Sequence, residues 1–139
     1  MRSRLLFAAP ALALMVALAP TARAEDDHPV VKLVKGKVKD AKKPFALIVE
    51  FKIKAGKETE AEAAFAPCLA ATRKEPGCVA YYLNRDPDQP QMFIMYEQFK
   101  SVDALVAHLK EKHTQTLLKT LGELGEGEPK LKILTVPSE

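Results

Sequence analysis

The stretch Gln91–Leu109, QMFIMYEQFKSVDALVAHL, decides the fold. Its opening half carries bulky apolar side chains on both parities: Phe93, Met95 and Phe99 on one, Met92, Ile94 and Tyr96 on the other. Side chains alternate across a strand, so this is the pattern of a strand covered on both faces. One charge, Glu97, shares the parity of Phe93, Met95 and Phe99. Ser101 then offers an N-cap, and Asp103 suits the positive end of a helix. Leu105, His108 and Leu109 follow at i, i+3 and i+4, one stripe of that helix. A strand with an inward Glu runs into a helix with an inward His, so a pocket between sheet and helix would carry both.

Outward from this stretch the pattern repeats. Phe45–Ile53 alternates as a first strand, with Phe45, Leu47, Val49, Phe51 and Ile53 on one face. Ala55-Gly56 turns the chain into a helix over Lys57–Lys74, whose stripe is Ala61, Ala64, Phe65, Cys68, Leu69 and Thr72. Pro67 lies inside that pattern and is expected to kink it. Glu75-Pro76-Gly77 ends the helix, and Cys78–Arg85 is a second strand. The turn Asp86–Pro90 joins it to Gln91–Phe99 as a hairpin. A second helix runs from Ser101 to about Leu121, with a break near Lys112-His113. Gly122–Pro129 reads as loop and Leu131–Val136 as a fourth strand. The order βαββαβ gives an α+β, ferredoxin-like protomer: a four-stranded antiparallel sheet with both helices on one face. The other face remains apolar. Its area exceeds what a monomer tolerates, so a homodimer pairing the sheets is expected.

The N-terminus has a different character. Arg2 and Arg4, the apolar run Leu5–Ala19 and the triplet Ala22-Arg23-Ala24 form a signal peptide over residues 1–24. The mature chain would start at Glu25 in the periplasm or outside the cell, with no lasting membrane anchor. Cleavage removes Arg2, Arg4 and Arg23, leaving 18 basic against 18 acidic side chains. That balance gives no reason to expect a nucleic-acid partner. Residues 25–44 hold Lys32, Lys35, Lys37, Lys39, Lys42 and Lys43 and read as a solvated, lysine-rich arm. Cys68 and Cys78 are the two cysteines; export permits a disulfide, but two buried thiols are the favoured reading.

The run Glu75-Pro76-Gly77-Cys78-Val79-Ala80-Tyr81, then Arg85-Asp86-Pro87-Asp88, Phe93-x-x-Tyr96-Glu97 and Ala104-Leu105-x-x-His108-Leu109-x-x-x-His113, resembles the antibiotic biosynthesis monooxygenase (ABM) domain. It is most similar to the small quinol monooxygenases of that group, over residues 45–137. The resemblance implies a dimeric α/β barrel that oxidises a quinol or phenolic small molecule with O₂, without metal, flavin or other cofactor. Phe99 and Thr114 stand where the family often has Trp and Phe, and the chain has no Trp. The haem-degrading relatives shape their pocket with a Trp, which argues against haem chemistry here although Asn84 and His108 are present.

For such a reaction His108 is the candidate base, since a phenol must lose a proton before its anion meets O₂. Glu97 would orient it or accept a substrate hydroxyl. Tyr81, Asn84 and Tyr96 are candidate hydrogen-bonding groups for substrate, Phe93 and Phe99 candidate aromatic walls, and His113 a rim residue. The plainer reading makes His108 a core histidine and the tyrosines packing residues. Three scattered histidines do not by spacing make a metal site. The alternative function is a non-catalytic dimer that binds a small molecule in the same pocket.

Overall fold

The computed structural model describes residues 28–137. The expected signal peptide lies outside them. The elements are α1 (Pro29–Lys37), β1 (Phe45–Lys52), α2 (Glu58–Thr72), β2 (Cys78–Arg85), β3 (Met92–Phe99), α3 (Val102–Lys110), α4 (Lys112–Leu124) and β4 (Lys130–Thr135). The sheet is antiparallel in the order β2-β3-β1-β4, the ferredoxin-like arrangement expected from βαββαβ.

Register fixes the faces. Phe45, Leu47, Val49 and Phe51 stand opposite Phe99, Glu97, Met95 and Phe93, and Tyr81 stands opposite Glu97. Residues paired across a sheet share a face, so these line the helix side. Phe93, Met95, Glu97 and Phe99 are buried, while Met92, Ile94, Tyr96 and Gln98 on the other parity keep part of their surface. The core is aromatic: Phe65 of α2 stacks on Phe93 at 6.1 Å and meets Phe51 edge-on at 6.0 Å. Phe45 packs on Phe99 at 6.3 Å.

The local signals act as read. The Ser101 hydroxyl accepts from Ala104 N at 3.2 Å and starts α3. The second helix does break, at Glu111, into α3 and α4. α2 stays continuous through Pro67, which lies on its exposed side. α4 runs on through Gly122, expected as loop, and ends at Gly125, whose N–H donates to Leu121 O at 2.8 Å. A Cβ on Gly125 would stand 2.7 Å from that same carbonyl, so the site needs glycine.

The expected lysine-rich arm is corrected most. Residues 29–37 form α1, started by His28, whose Nδ1 accepts from Val30 N, and by Pro29 in the first turn. Val31 and Val34 are fully buried and Val38 nearly so. These valines recur at i, i+3 and i+7, a helical stripe docked against α3. Burying valines that would otherwise face water contributes about 1.5–3 kcal/mol each, enough to hold the segment while its lysines face water. Val102 N donates to Ala41 O at 2.9 Å, tying the following loop to the start of α3.

Candidate functional site

Between the helix side of the sheet and helices α1, α3 and α4 lies a cavity of about 320 Å³. Its walls are mainly apolar, from Leu47, Val49, Met95, Leu105 and Leu117 among others. Glu97, Tyr81, His108 and Thr114 supply polar groups. An apolar pocket with a few convergent polar groups is the usual form of a small-molecule site.

His108, in the last turn of α3, is 2% exposed. Its Nδ1 lies 3.0 and 3.1 Å from the two carboxylate oxygens of Glu75. Glu97 was expected as its partner; the structure gives that place to Glu75, 33 residues earlier in the chain. The backbone explains how. Gly77 runs so close to α3 that a Cβ there would lie 2.4 Å from Ala104 Cβ. Lys100 secures the loop from the other side, its N–H donating to Gly77 O at 2.9 Å and its Nζ to Pro76 O at 2.6 Å. The tight Pro76-Gly77 approach therefore delivers the Glu75 carboxylate to the histidine one turn further along α3. Burial lowers the His108 pKa, opposed by the hydrogen bond and charge of Glu75. A neutral ring with Nδ1–H donated to Glu75 leaves Nε2 as a lone-pair base. Thr114 Oγ1 is within 3.5 Å of that nitrogen. The rings of Phe99 and Tyr81 flank the imidazole at 5.1 and 5.3 Å.

Glu97 takes a different role. It is only 9% exposed, lines the cavity and has no hydrogen-bond partner among the described residues. Burial first, and the charge of Glu75 second, push its pKa up to about 8. It is thus largely a neutral carboxylic acid at pH 7, able to donate a hydrogen bond into the cavity. Tyr81 stands beside it; burial, then the Glu97 charge, raise its pKa, so the hydroxyl stays protonated. That hydroxyl is 3.9 Å from Cys68 Sγ, which in turn lies 3.6 Å from Thr72 Oγ1. Cys68 and Cys78 are both free thiols, and burial raises both pKa values.

The remaining candidates divide by face and depth. Asn84 and Tyr96 are on the outer face of the sheet, away from the cavity, because they pair in register with Ile94 and Tyr82 on that side. Asn84 Nδ2 donates to Ile94 O at 3.4 Å, and Tyr96 OH donates to Gln98 Oε1 at 3.1 Å. Phe93 and Phe99 belong to the core beneath the cavity rather than to its wall. His113, at the start of α4, faces a separate surface depression, with Nε2 2.7 Å from Glu75 Oε1. Glu75, His108 and His113 present one ligand atom each, all within 4.8 Å of one another. The sequence signal for Glu75 was its place in the Glu-Pro-Gly run; nothing in that run said which histidines it meets.

The ABM family model, antibiotic biosynthesis monooxygenase, matches residues 44–120. Solved structures agree over nearly their whole length. Rv0793 from Mycobacterium tuberculosis is 25% identical, with a TM-score of 0.64, covering 69% of this chain and 97% of its own. A Bacteroides thetaiotaomicron protein called a possible oxidoreductase is 26% identical, with a TM-score of 0.62, covering 68% and 98%. PA3566 from Pseudomonas aeruginosa is 24% identical, with a TM-score of 0.64, covering 70% and 98%. No curated protein matches the sequence. A family match over more than half of the chain, on the ferredoxin-like sheet described above, shows that this protein belongs to the antibiotic biosynthesis monooxygenase family.

Proposed function

We propose that this protein is an exported, cofactor-independent monooxygenase that oxidises a quinol or phenolic small molecule with O₂. Family membership supports a monooxygenase or oxidoreductase role. One observation carries the finer reading: a buried histidine, locked by a carboxylate at Nδ1, shares an apolar cavity with a second carboxyl group that has no hydrogen-bond partner among the described residues. His108 Nε2 takes the phenolic proton, and the resulting anion is electron-rich enough to reduce O₂. Glu97, in its acid form, donates to the developing peroxide oxygen, and Tyr81 OH supports the substrate oxygen. For a hydroquinone the balance closes without an outside reductant. One oxygen atom enters the ring to give a hydroxyquinone, and the other leaves as water with two protons from the substrate. Apolar walls keep water from quenching the anion.

Oxygen uptake with a panel of quinols, in the presence of a chelator, tests this. Uptake should occur and should fall about 10²–10⁴-fold in His108→Ala, the usual worth of a positioned base. Tight quinol binding with no uptake would make the protein a binding module instead. A strong visible band on adding haem would turn the reading to haem. The same proposal includes a homodimer formed through the outer sheet face, where Ile48, Ile94, Tyr96 and Leu134 lie only partly covered and Tyr82 is 55% exposed. Sedimentation at micromolar concentration should show two copies. Protein recovered after export should begin at Glu25.

A further inference from the structure

We propose that Glu75, His108 and His113 form a binding site for a divalent transition-metal ion of the imidazole-preferring kind, with Zn²⁺ as its type. The site is distinct from the cavity that takes the substrate, but it shares His108 with it. Three elements supply the donors: the loop after α2 gives Glu75, the last turn of α3 His108, and the first turn of α4 His113. Glu75 Oε1 is already 3.0 Å from His108 Nδ1 and 2.7 Å from His113 Nε2, and all three ligand atoms lie within 4.8 Å. Metal–ligand bonds of about 2.0–2.2 Å place ligands on one ion roughly 3–4 Å apart. The three donors already converge on one point, and the helix break at Glu111, between the two histidines, is where the backbone can give to draw them onto an ion.

The donor set chooses the ion. Two imidazoles and one carboxylate suit zinc, copper, nickel, cobalt and ferrous iron, not magnesium or calcium, which ask for oxygen ligands. Three protein ligands leave room for water to complete the sphere. The loop that carries Glu75 is fixed by Lys100 on Pro76 and Gly77, so the carboxylate is presented rather than recruited. With an ion on Nδ1 the His108 proton moves to Nε2, where Thr114 Oγ1 at 3.5 Å can accept it. Entry is from the surface: the side chains of Glu75 and His113 retain 14% and 21% exposure while that of His108 has 3%.

The effect on turnover rests on the reading of His108 as base. An ion at Nδ1 puts the proton on Nε2 and removes the lone pair that would deprotonate the substrate. Metal occupancy therefore inhibits, and chelation restores.

The full mature chain, stripped with chelator, is titrated with Co²⁺ and followed by its visible d–d absorption. One ion per chain should bind, be displaced by Zn²⁺, and bind at least tenfold more weakly to His113→Ala and Glu75→Gln. His28→Ala should bind as wild type does. Far-ultraviolet circular dichroism of the variants separates lost ligands from lost fold, and His113, partly exposed, is the safer change. Absence of a d–d band at millimolar Co²⁺ overturns the site. So does affinity unmoved by both ligand variants, which is an adventitious ion only. Loading with Zn²⁺ should lower quinol-dependent oxygen uptake at least tenfold; uptake that rises with Zn²⁺ overturns the inhibition. A metal that binds as described to a protein with no uptake in either state retires the monooxygenase reading and leaves the site standing.

Discussion

The two faces of β3 come from one unbroken apolar run, and the fold treats them oppositely. Phe93, Met95, Glu97 and Phe99 face the helices and are buried; Met92, Ile94, Tyr96 and Gln98 face away and are only partly covered. The helix side holds the cavity, the unpartnered carboxyl and the aromatic core. The outer side holds side chains that satisfy one another locally, as Tyr96 does with Gln98. Parity alone separates chemistry from surface. A polar residue of the right type, such as Asn84, contributes nothing to a pocket if its register is odd by one.

The largest expected effect lies on the helix side. Phe65→Ala removes the ring that stacks on Phe93 and meets Phe51, and should cost about 3–5 kcal/mol in a urea or thermal melt. A loss below about 1 kcal/mol would mean that the aromatic layer is not the core. The next effect depends on pH. Burial raises the folded pKa of Glu97 to about 8, from an ordinary value of 4.5, so the folded state holds its proton more tightly than the unfolded one. Stability from this group is fully present below about pH 4.5 and falls as pH rises through about 8. Glu97→Gln, which keeps the shape without the charge, should therefore melt higher than wild type at pH 9, by a margin on the order of a few kcal/mol. The margin should narrow towards pH 5. A margin independent of pH would show that Glu97 is ionised in the fold. The smallest effect on the protomer belongs to the outer face. Ile94→Lys should change protomer stability by about 1 kcal/mol or less yet abolish self-association in sedimentation. An unchanged dimer would move the interface elsewhere.

Much of this was legible. Period-two alternation placed β1 and β3, and Ser101 announced α3. The presence of a sheet-borne Glu97 and a helix-borne His108 on the wall of one cavity followed from the same reading, though the two do not pair. Two of the differences share a cause, contacts between distant segments. Glu75 looked like punctuation at a helix end, since only the Gly77–Ala104 approach brings it to His108. In α1 the stripe Val31, Val34, Val38 was diluted by Val30 and Leu33 and by interleaved lysines, so the segment read as solvated. Tyr96 and Asn84 have the residue types a pocket uses, but strand parity puts both on the outer face of the sheet.

β4, at Lys130–Thr135, lies beyond the stretch matched by the family model, as does α1. Yet β4 pairs with β1 from Phe45 to Glu50 and forms one margin of the sheet. A protein trimmed to residues 44–120 would turn β1 from an interior strand into a bare edge, its amides and carbonyls along Phe45–Glu50 open to any passing strand. The outcome of such trimming is a sticky template for strand addition rather than a minimal enzyme. A protein that keeps this edge covered therefore extends at least to Thr135, past the boundary that family likeness draws.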